Sequence, residues 1–356
     1  MVIISAVFFA TAMAQGDSAS ARDSMPRSRT TALPIVSYSD VTGLQFGGTV
    51  VRGFRVGRDT GTHPSFASAY LAGTARGHAK GYLQLDRWSA DNAMRSRVRV
   101  EHISYPLPFY GVGRDTPDEV EEWYSSGVTT VHVFVDQLTA RSVFLHGGLR
   151  YTRSRLRDGE PGGMLDQEIV PGAAGSDVVA LSAGLIIDSR DDIGAPRGGV
   201  FARIVPSAST RRLGSDMAFR RLTIDARRYN ALGGHTIATQ VQYDGLDGTA
   251  PFDLMPMIGA DTAMRGYARG RFRDQHAFTA QAEFRSAPWR RLGAVVFAGA
   301  GTVAPAASKL VTGAWFPSYG AGVRYLVSPR YRTMLRADLA LGRGTFGLHV
   351  GVGEAF

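Results

Sequence analysis

The chain has 356 residues, of which 44% are hydrophobic, 20% are charged and 43 are glycine. This composition fits one large β domain and excludes a disordered chain or a long-helix protein, while the absence of cysteine excludes disulfide frameworks, thiolate metal sites and cysteine nucleophiles. The formal net charge is +9, but the arginines are interspersed with acidic residues rather than collected on a basic face with aromatics, so no nucleic-acid partner is expected.

The N-terminal segment has the features of an export signal. A short apolar run from Val2 to Thr11 precedes the small-x-small triplet at 12–14, which is typical of a cleavage site. No basic residue follows Met1 directly, which leaves the position of the start codon open. A buried strand or helix is the alternative, since the run is too short for a membrane helix. We expect a signal peptide at 1–14 and a polar linker at 15–32.

From residue 33 to residue 356 the sequence alternates with a period of two, with one face apolar and the other small or polar. In the last segment Phe346, Leu348, Val350 and Phe356 share the apolar face. Sixteen strands are predicted, at residues 33–39, 44–57, 65–75, 78–88, 93–105, 122–136, 141–154, 177–187, 199–209, 218–229, 235–245, 276–287, 292–303, 318–327, 332–341 and 345–356. Their even number and their length of about ten residues indicate an all-β fold, a transmembrane antiparallel β-barrel. A soluble β-sandwich is the alternative.

The loops between these strands predict the orientation of the barrel. If both termini face the periplasm, the long polar segments 106–121, 155–176 and 246–275 all become outer loops, and the connections on the periplasmic side are short turns. Several charged residues then point into the lumen and are expected to keep it polar: Arg97, Arg99, Glu101, Arg221, Asp225, Arg227, Arg336 and Asp338.

Several motifs occur in a fixed order along this barrel. The sixth outer loop carries Arg265, Gly266 and Tyr267, and the next two strands carry Glu283-Phe-Arg285 and Phe297. The turn before the ninth strand contains Asp188, Arg190, Asp191, Pro196 and Gly198. Together with the terminal Phe356, these motifs resemble the barrel of the BamA/TamA superfamily of outer-membrane assembly and translocation proteins, the bacterial surface antigen type.

The resemblance implies that the sixth loop folds back into the lumen, where Arg265 contacts residues of strands twelve and thirteen. Gly299 stands where the family usually has an acidic residue, so the expected partner is Glu283, beside Arg285 and Phe297, and the contact is expected to be weaker than in the family. A guanidinium in a narrow polar lumen needs such a carboxylate. An ordinary solvent-facing loop arginine is the alternative.

The resemblance also implies a seam between the first and last strands that opens sideways and lets a client strand pair with the exposed edge. Pro34 removes one backbone donor from the short first strand, so its pairing with the last strand should be weak. Cysteines at Val36 and Val350 are expected to cross-link this seam, and Phe356 resembles the family's terminal aromatic. The alternative is a first strand that is short for no functional reason.

Family members usually carry periplasmic POTRA domains before the barrel, and here only the linker precedes it, so we expect a barrel-only member. The expected function is insertion or translocation of protein or lipid at the outer membrane of a Gram-negative bacterium. The partners would be membrane lipid, unfolded outer-membrane protein clients and a separate periplasmic protein. A passive or selective pore is one alternative and an outer-membrane hydrolase another, but no nucleophile, base and acid group together, so no enzyme is expected. No cofactor or metal is expected, and Asp188, Asp191 and Asp192 fit a solvated turn better than a calcium site.

Overall fold

The computed structural model describes residues 4–5, 8–9, 28–39, 43–57, 62–116, 122–259, 263–328 and 332–356. Its main sheet has 18 strands, of which two are the two-residue pieces Ile4–Ser5 and Phe8–Phe9. The other sixteen, labelled in chain order, are β1 Ser28–Ser39, β2 Gly43–Phe54, β3 Ser65–Thr74, β4 Ala79–Trp88, β5 Met94–Phe109, β6 Glu122–Ala140, β7 Val143–Asp158, β8 Ser176–Asp188, β9 Gly199–Ser209, β10 Phe219–Leu232, β11 His235–Gly248, β12 His276–Arg285, β13 Leu292–Ala304, β14 Phe316–Ser328, β15 Thr333–Gly342 and β16 Thr345–Val352.

Each of the sixteen strands pairs antiparallel with the next one along the chain, so the sheet is a β-barrel built from consecutive hairpins. The two N-terminal pieces lie between the first and last strands. Ile4–Ser5 pairs parallel with β16, and Phe8–Phe9 pairs antiparallel with β1.

The period-two alternation of the sequence sets the two faces of the wall. Large apolar side chains point outward and are exposed, such as Leu71 at 68%, Leu83 at 64% and Leu145 at 52%. An apolar outer belt of this kind is stable in lipid and not in water. The inner face is polar, and its charges pair across and along strands, as in Arg227 Nε to Asp225 Oδ1 at 3.0 Å. In the described residues, no helix is long and apolar enough to span a membrane.

The long loops gather at one end of the barrel, called here the outer end. Loop 4 (159–175) and loop 6 (249–275) share an apolar cluster with the ends of β5 and β6, formed by Phe109, Tyr124, Leu165, Ala173 and Phe252. Loop 3 (110–121), which joins β5 to β6, bonds to loop 6 through Gly113 N to Arg273 O at 2.7 Å and Arg271 Nη1 to Thr116 Oγ1 at 2.8 Å. Loop 6 also contains a short ribbon in which Met257–Ile258 pairs with Phe272–Arg273. These contacts make the outer loops a packed dome above the lumen.

The two ends of the barrel wall differ from the sequence prediction. β1 begins at Ser28, within the segment predicted as linker, because residues 28–32 pair in register with β2. β16 ends at Val352 and not at Phe356. Gly353 has φ +83°, and the chain there turns inward. Phe356 is therefore 6% exposed against Tyr229 and Ala238, and it does not lie on the lipid-facing side.

Candidate functional site in the barrel lumen

Loop 6 leaves the outer dome and enters the lumen at its Arg-Gly-Tyr motif. Met264 and Gly266 both have positive φ, at 55° and 101°, so the chain makes a tight bend on either side of Arg265. Met264 and Tyr267 pack in a buried cluster with Phe272 of the same loop and Phe316 of β14. This packing fixes the loop and directs the arginine downward.

The Arg265 side chain is 0% exposed and lies between two carboxylates that are also 0% exposed. Its Nη2 donates to Glu283 Oε1 on β12, and its Nη1 donates to Asp338 Oδ2 on β15 at 2.6 Å. Its guanidinium carbon lies 3.6 Å from the centre of the Phe297 ring on β13. Two ion pairs and a cation–π contact together offset the cost of burying the charge.

Asp338 is the part of this site that the sequence did not predict. Glu283 was the expected partner because Gly299 lacks the family's acidic side chain. The structure places a second carboxylate on β15, so Arg265 has two acidic partners instead of the one that was expected. Asp338 was identified only as a residue facing the lumen, and its height relative to Arg265 depends on strand register.

The two carboxylates also bind arginines that lie below them. Glu283 Oε2 accepts from Arg285 Nε at 2.9 Å, and Asp338 Oδ1 accepts from Arg324 Nη1. Arg324 Nε in turn donates to Glu354 Oε2 at 2.7 Å. The result is a continuous network of ion pairs from loop 6 to the inward-turned segment 353–356.

Hydrogen bonds between side chains and backbone groups hold the loop motif against strands β14 to β16. Ser318 Oγ donates to Arg265 O and Thr345 Oγ1 donates to Gly266 O. Tyr267 OH donates to Pro317 O and accepts from Arg343 N, both at 2.8 Å. These bonds satisfy the carbonyl groups of Arg265 and Gly266 and the hydroxyl group of Tyr267.

Small residues make room for this arrangement. A Cβ at Gly342 would lie 2.7 Å from the Tyr267 ring, and a Cβ at Gly320 would lie 2.5 Å from the Phe297 ring. A Cβ at Gly266 would lie 2.8 Å from the backbone of Leu341. The glycines of β14 and β15 therefore allow the loop to approach the wall closely.

The inner turn at 189–198 is held by its own aspartates. Asp191 Oδ1 accepts from Arg197 N at 2.9 Å and from Gly198 N at 3.1 Å, and Asp191 Oδ2 lies 3.4 Å from Arg332 Nη1 in the turn between β14 and β15. Burial would raise the pKa of Asp191, but these donors lower it overall. The turn thus reaches across the inner mouth.

The other motif residues of this turn lie near the wall and do not approach Arg265. Arg190 Nε donates to Asp188 Oδ1 at 2.8 Å, and the Arg190 guanidinium covers Phe201. Pro196 is buried. In the ranges that the structure describes, no group of three His, Cys, Asp or Glu side chains could hold a metal ion.

Loop 6 also buries two ionisable groups under the outer dome. Burial raises the pKa of the Asp253 carboxyl, and among the described residues its Oδ1 has no hydrogen-bond partner. Burial lowers the pKa of Arg273, whose Nη1 donates to Phe252 O at 3.1 Å. These groups make the dome sensitive to pH.

At the seam, Pro34 lies in β1, which is described from Ser28 onward. Val36 is opposite Phe8, and Ser5 is opposite His349 beside Val350. An extra segment therefore separates the two predicted cross-linking positions by two strand spacings, about 10 Å. A direct disulfide between residues 36 and 350 does not fit this arrangement, because it needs a Cα separation below about 7 Å.

Comparison with known proteins places this geometry in context. Residues 123–356 match the Omp85 superfamily domain. The fold is similar to the crystal structure of BamA from Haemophilus ducreyi lacking POTRA domains 1–3, with a TM-score of 0.61, 14% identity, and coverage of 98% of this chain and 75% of that one. It is also similar to CdiB from Acinetobacter baumannii, with a TM-score of 0.53, 10% identity, and coverage of 91% and 59%. The chain thus spans less than two thirds of the CdiB chain. No curated protein matches its sequence.

Proposed function

We propose that this chain, which belongs to the Omp85 superfamily of outer-membrane proteins, assists the insertion or translocation of a client protein by pairing an extended client strand at the seam between β1 and β16. The family and the barrel fold place it in the outer membrane of a Gram-negative bacterium, among proteins related to insertion or translocation. The proposed role needs no catalysed covalent step and no cofactor.

The observation that carries the proposal is the occupied seam. Residues 4–5 and 8–9, which fall within the expected signal peptide at 1–14, lie between β1 and β16 and pair with them, so both strand edges accept an extended segment. Strand edges present rows of unpaired N–H and C=O groups, and an extended peptide adds to such an edge through main-chain hydrogen bonds that tolerate many sequences. The same edges can receive a client strand once this segment has been cleaved or displaced.

The loop 6 site supports the proposal from inside the barrel. Arg265 joins β12 and β15 through Glu283 and Asp338, and the motif also bonds to β14 and β16. These four strands are thereby held as one unit up to the seam. Such bracing keeps the last strand in position while its edge is free.

The test measures how fast an unfolded outer-membrane barrel client inserts into liposomes with and without this protein. The seam is locked in a Val36→Cys/Val350→Cys variant with a bifunctional thiol reagent about 10 Å long, matched to two strand spacings. The control is a Val98→Cys/Val133→Cys variant, whose disulfide joins directly opposed residues of β5 and β6 away from the seam. The protein has no native cysteine, so only the introduced pairs react.

We expect the protein to accelerate insertion, the seam lock to abolish this acceleration and the control disulfide to leave it intact. Acceleration that survives the seam lock would refute strand pairing at the seam. An unmodified protein that does not accelerate insertion would refute the assembly role of this chain by itself.

A further inference from the structure

The outward face of the barrel changes from apolar to cationic toward the outer end of β7. Leu145 and Leu149 are 52% and 39% exposed on this face and belong to the lipid-facing belt. The next outward residues are Tyr151, Arg153 and Arg155, and the two arginine side chains are 56% and 42% exposed. An apolar stretch, then an aromatic residue, then arginines is the order expected for a strand that passes from acyl chains into headgroups.

Neighbouring elements extend this cationic surface into a patch. We define the outer-rim arginine patch as Arg153, Arg155 and Arg157 of β7, Arg211 and Arg212 of loop 5 (210–218), and Arg220 of β10. Loop 5 lies beside the end of β8, where Asp216 Oδ2 accepts from Asp177 N at 2.7 Å and Ser215 Oγ accepts from Val179 N at 2.8 Å. Arg220 is two residues before Leu222, which is on the lipid-facing side of the same strand.

Most of this positive charge is not neutralised by the protein. Asp177 pairs with Arg155 and lies 4.0 Å from Arg153 Nε. The side chains of Arg211, Arg212 and Arg220 are exposed and make no ion pair or hydrogen bond with any residue that the structure describes. Six arginines therefore face four aspartates at this rim, Asp158, Asp177, Asp216 and Asp247.

The patch is confined to one side of the barrel. On the side formed by β12 to β14, the corresponding outer positions are aromatic: Phe278 and Trp315 pack edge to face at 5.6 Å, and Tyr319 is 52% exposed. A non-specific interfacial girdle would be aromatic all round. The arginines of β7, loop 5 and β10 instead indicate a localised site for an anion at the level of the outer headgroups.

We propose that the outer-rim arginine patch binds the phosphate groups of a phosphorylated glycolipid in the outer leaflet. Guanidinium groups bind phosphate oxygens with paired hydrogen bonds, and the exposed leucines directly below provide the surface for the acyl chains. Each basic residue near an anionic lipid surface strengthens binding roughly fivefold. The site shares no residue with the seam or with loop 6. The lipid-binding proposal can therefore be tested independently of the proposed assembly role.

The test uses the full barrel in a zwitterionic detergent, with lipid A as the probe and native mass spectrometry as the readout of bound lipid. The patch variant is R153Q/R211Q/R212Q/R220Q, which removes arginines without leaving an unpaired buried carboxylate, since Asp177 keeps Arg155. The matched control is R141Q/R228Q/R290Q/R291Q, which removes the same charge at the inner end. Dephosphorylated lipid A and inorganic phosphate separate the contributions of phosphate and lipid.

We expect lipid A to bind the patch variant at least about tenfold more weakly than it binds the unmodified protein or the control variant. Dephosphorylated lipid A should bind all three proteins equally weakly, and inorganic phosphate should displace lipid A only at far higher concentration. Equal losses in the patch and control variants would overturn the proposal, because binding would then follow net charge. Unchanged binding after dephosphorylation, or equally strong binding of inorganic phosphate, would also overturn it.

Discussion

Replacing Arg265 with alanine should release loop 6 from the lumen. The side chain is 0% exposed and pairs with two carboxylates that are 0% exposed. Removing one partner of a buried ion pair costs about 3–5 kcal/mol. Glu283 keeps Arg285 and Asp338 keeps Arg324, so the lower end applies, about 3 kcal/mol. That energy shifts the equilibrium between docked and released loop by roughly 100-fold.

Hydrogen–deuterium exchange measures this shift directly, because the backbone amides of residues 263–273 exchange when the loop opens. We expect their exchange to be roughly 100-fold faster in Arg265→Ala, while the amides of β5 to β8 keep their protection. Arg265→Lys should give an intermediate result, because an ammonium lacks the planar fork that reaches both carboxylates.

The matched control is Arg269→Ala, which removes an exposed arginine from the same loop. If Arg265→Ala and Arg269→Ala exchange at the same rate, Arg265 does not hold the loop. The double variant Arg265→Ala/Asp338→Asn should lose less stability than the sum of the two single variants, since both remove one contact.

Three further predictions concern the same loop. Gly266→Ala should lower the unfolding free energy by about 1–3 kcal/mol in thermal denaturation, because φ at Gly266 is +101° and the backbone of β15 is close. The control Gly344→Ala should lower it less, because φ at Gly344 is +68° and an added Cβ would meet open space. Asp338→Asn should lower it by about 3 kcal/mol, because Arg265 keeps Glu283 and Arg324 keeps Glu354, and a loss below about 1 kcal/mol would contradict the two-carboxylate site. Burial raises the pKa of Asp253, so its ionisation as pH rises should destabilise the folded protein. Asp253→Asn should therefore raise the melting temperature at about pH 8 but not at about pH 4, and an equal gain at both would refute this assignment.

The alternating pattern of the amino-acid sequence is enough to predict the barrel architecture. Lipid on one side and a polar lumen on the other force strict alternation, so strand positions can be read from Leu222 and Ile224 against Arg221 and Asp225. All sixteen predicted strands have a counterpart in the structure, with ends that differ by a few residues. The same alternation also predicts that the side chains of Glu283, Arg285 and Phe297 face the lumen.

Which of the inward-facing residues contact one another depends on the folded barrel and cannot be read from this pattern. Arg265 and Asp338 are 73 residues apart, and their contact depends on the register of four strands and on the depth to which loop 6 descends. Period-two alternation gives the face of a residue and not its height along the barrel axis.

The position of the last residues of the chain also depends on contacts that form only in the folded barrel. Phe356 fits the lipid-facing pattern in sequence, but Gly353 turns the chain inward and Arg285 Nη2 donates to Phe356 O at 2.9 Å. Arg285 and Glu354 lie far apart in the sequence, and both take part in the ion-pair network that ends at this segment. Alternation along a strand is local, whereas a bend stabilised by distant charges is decided only when the barrel closes.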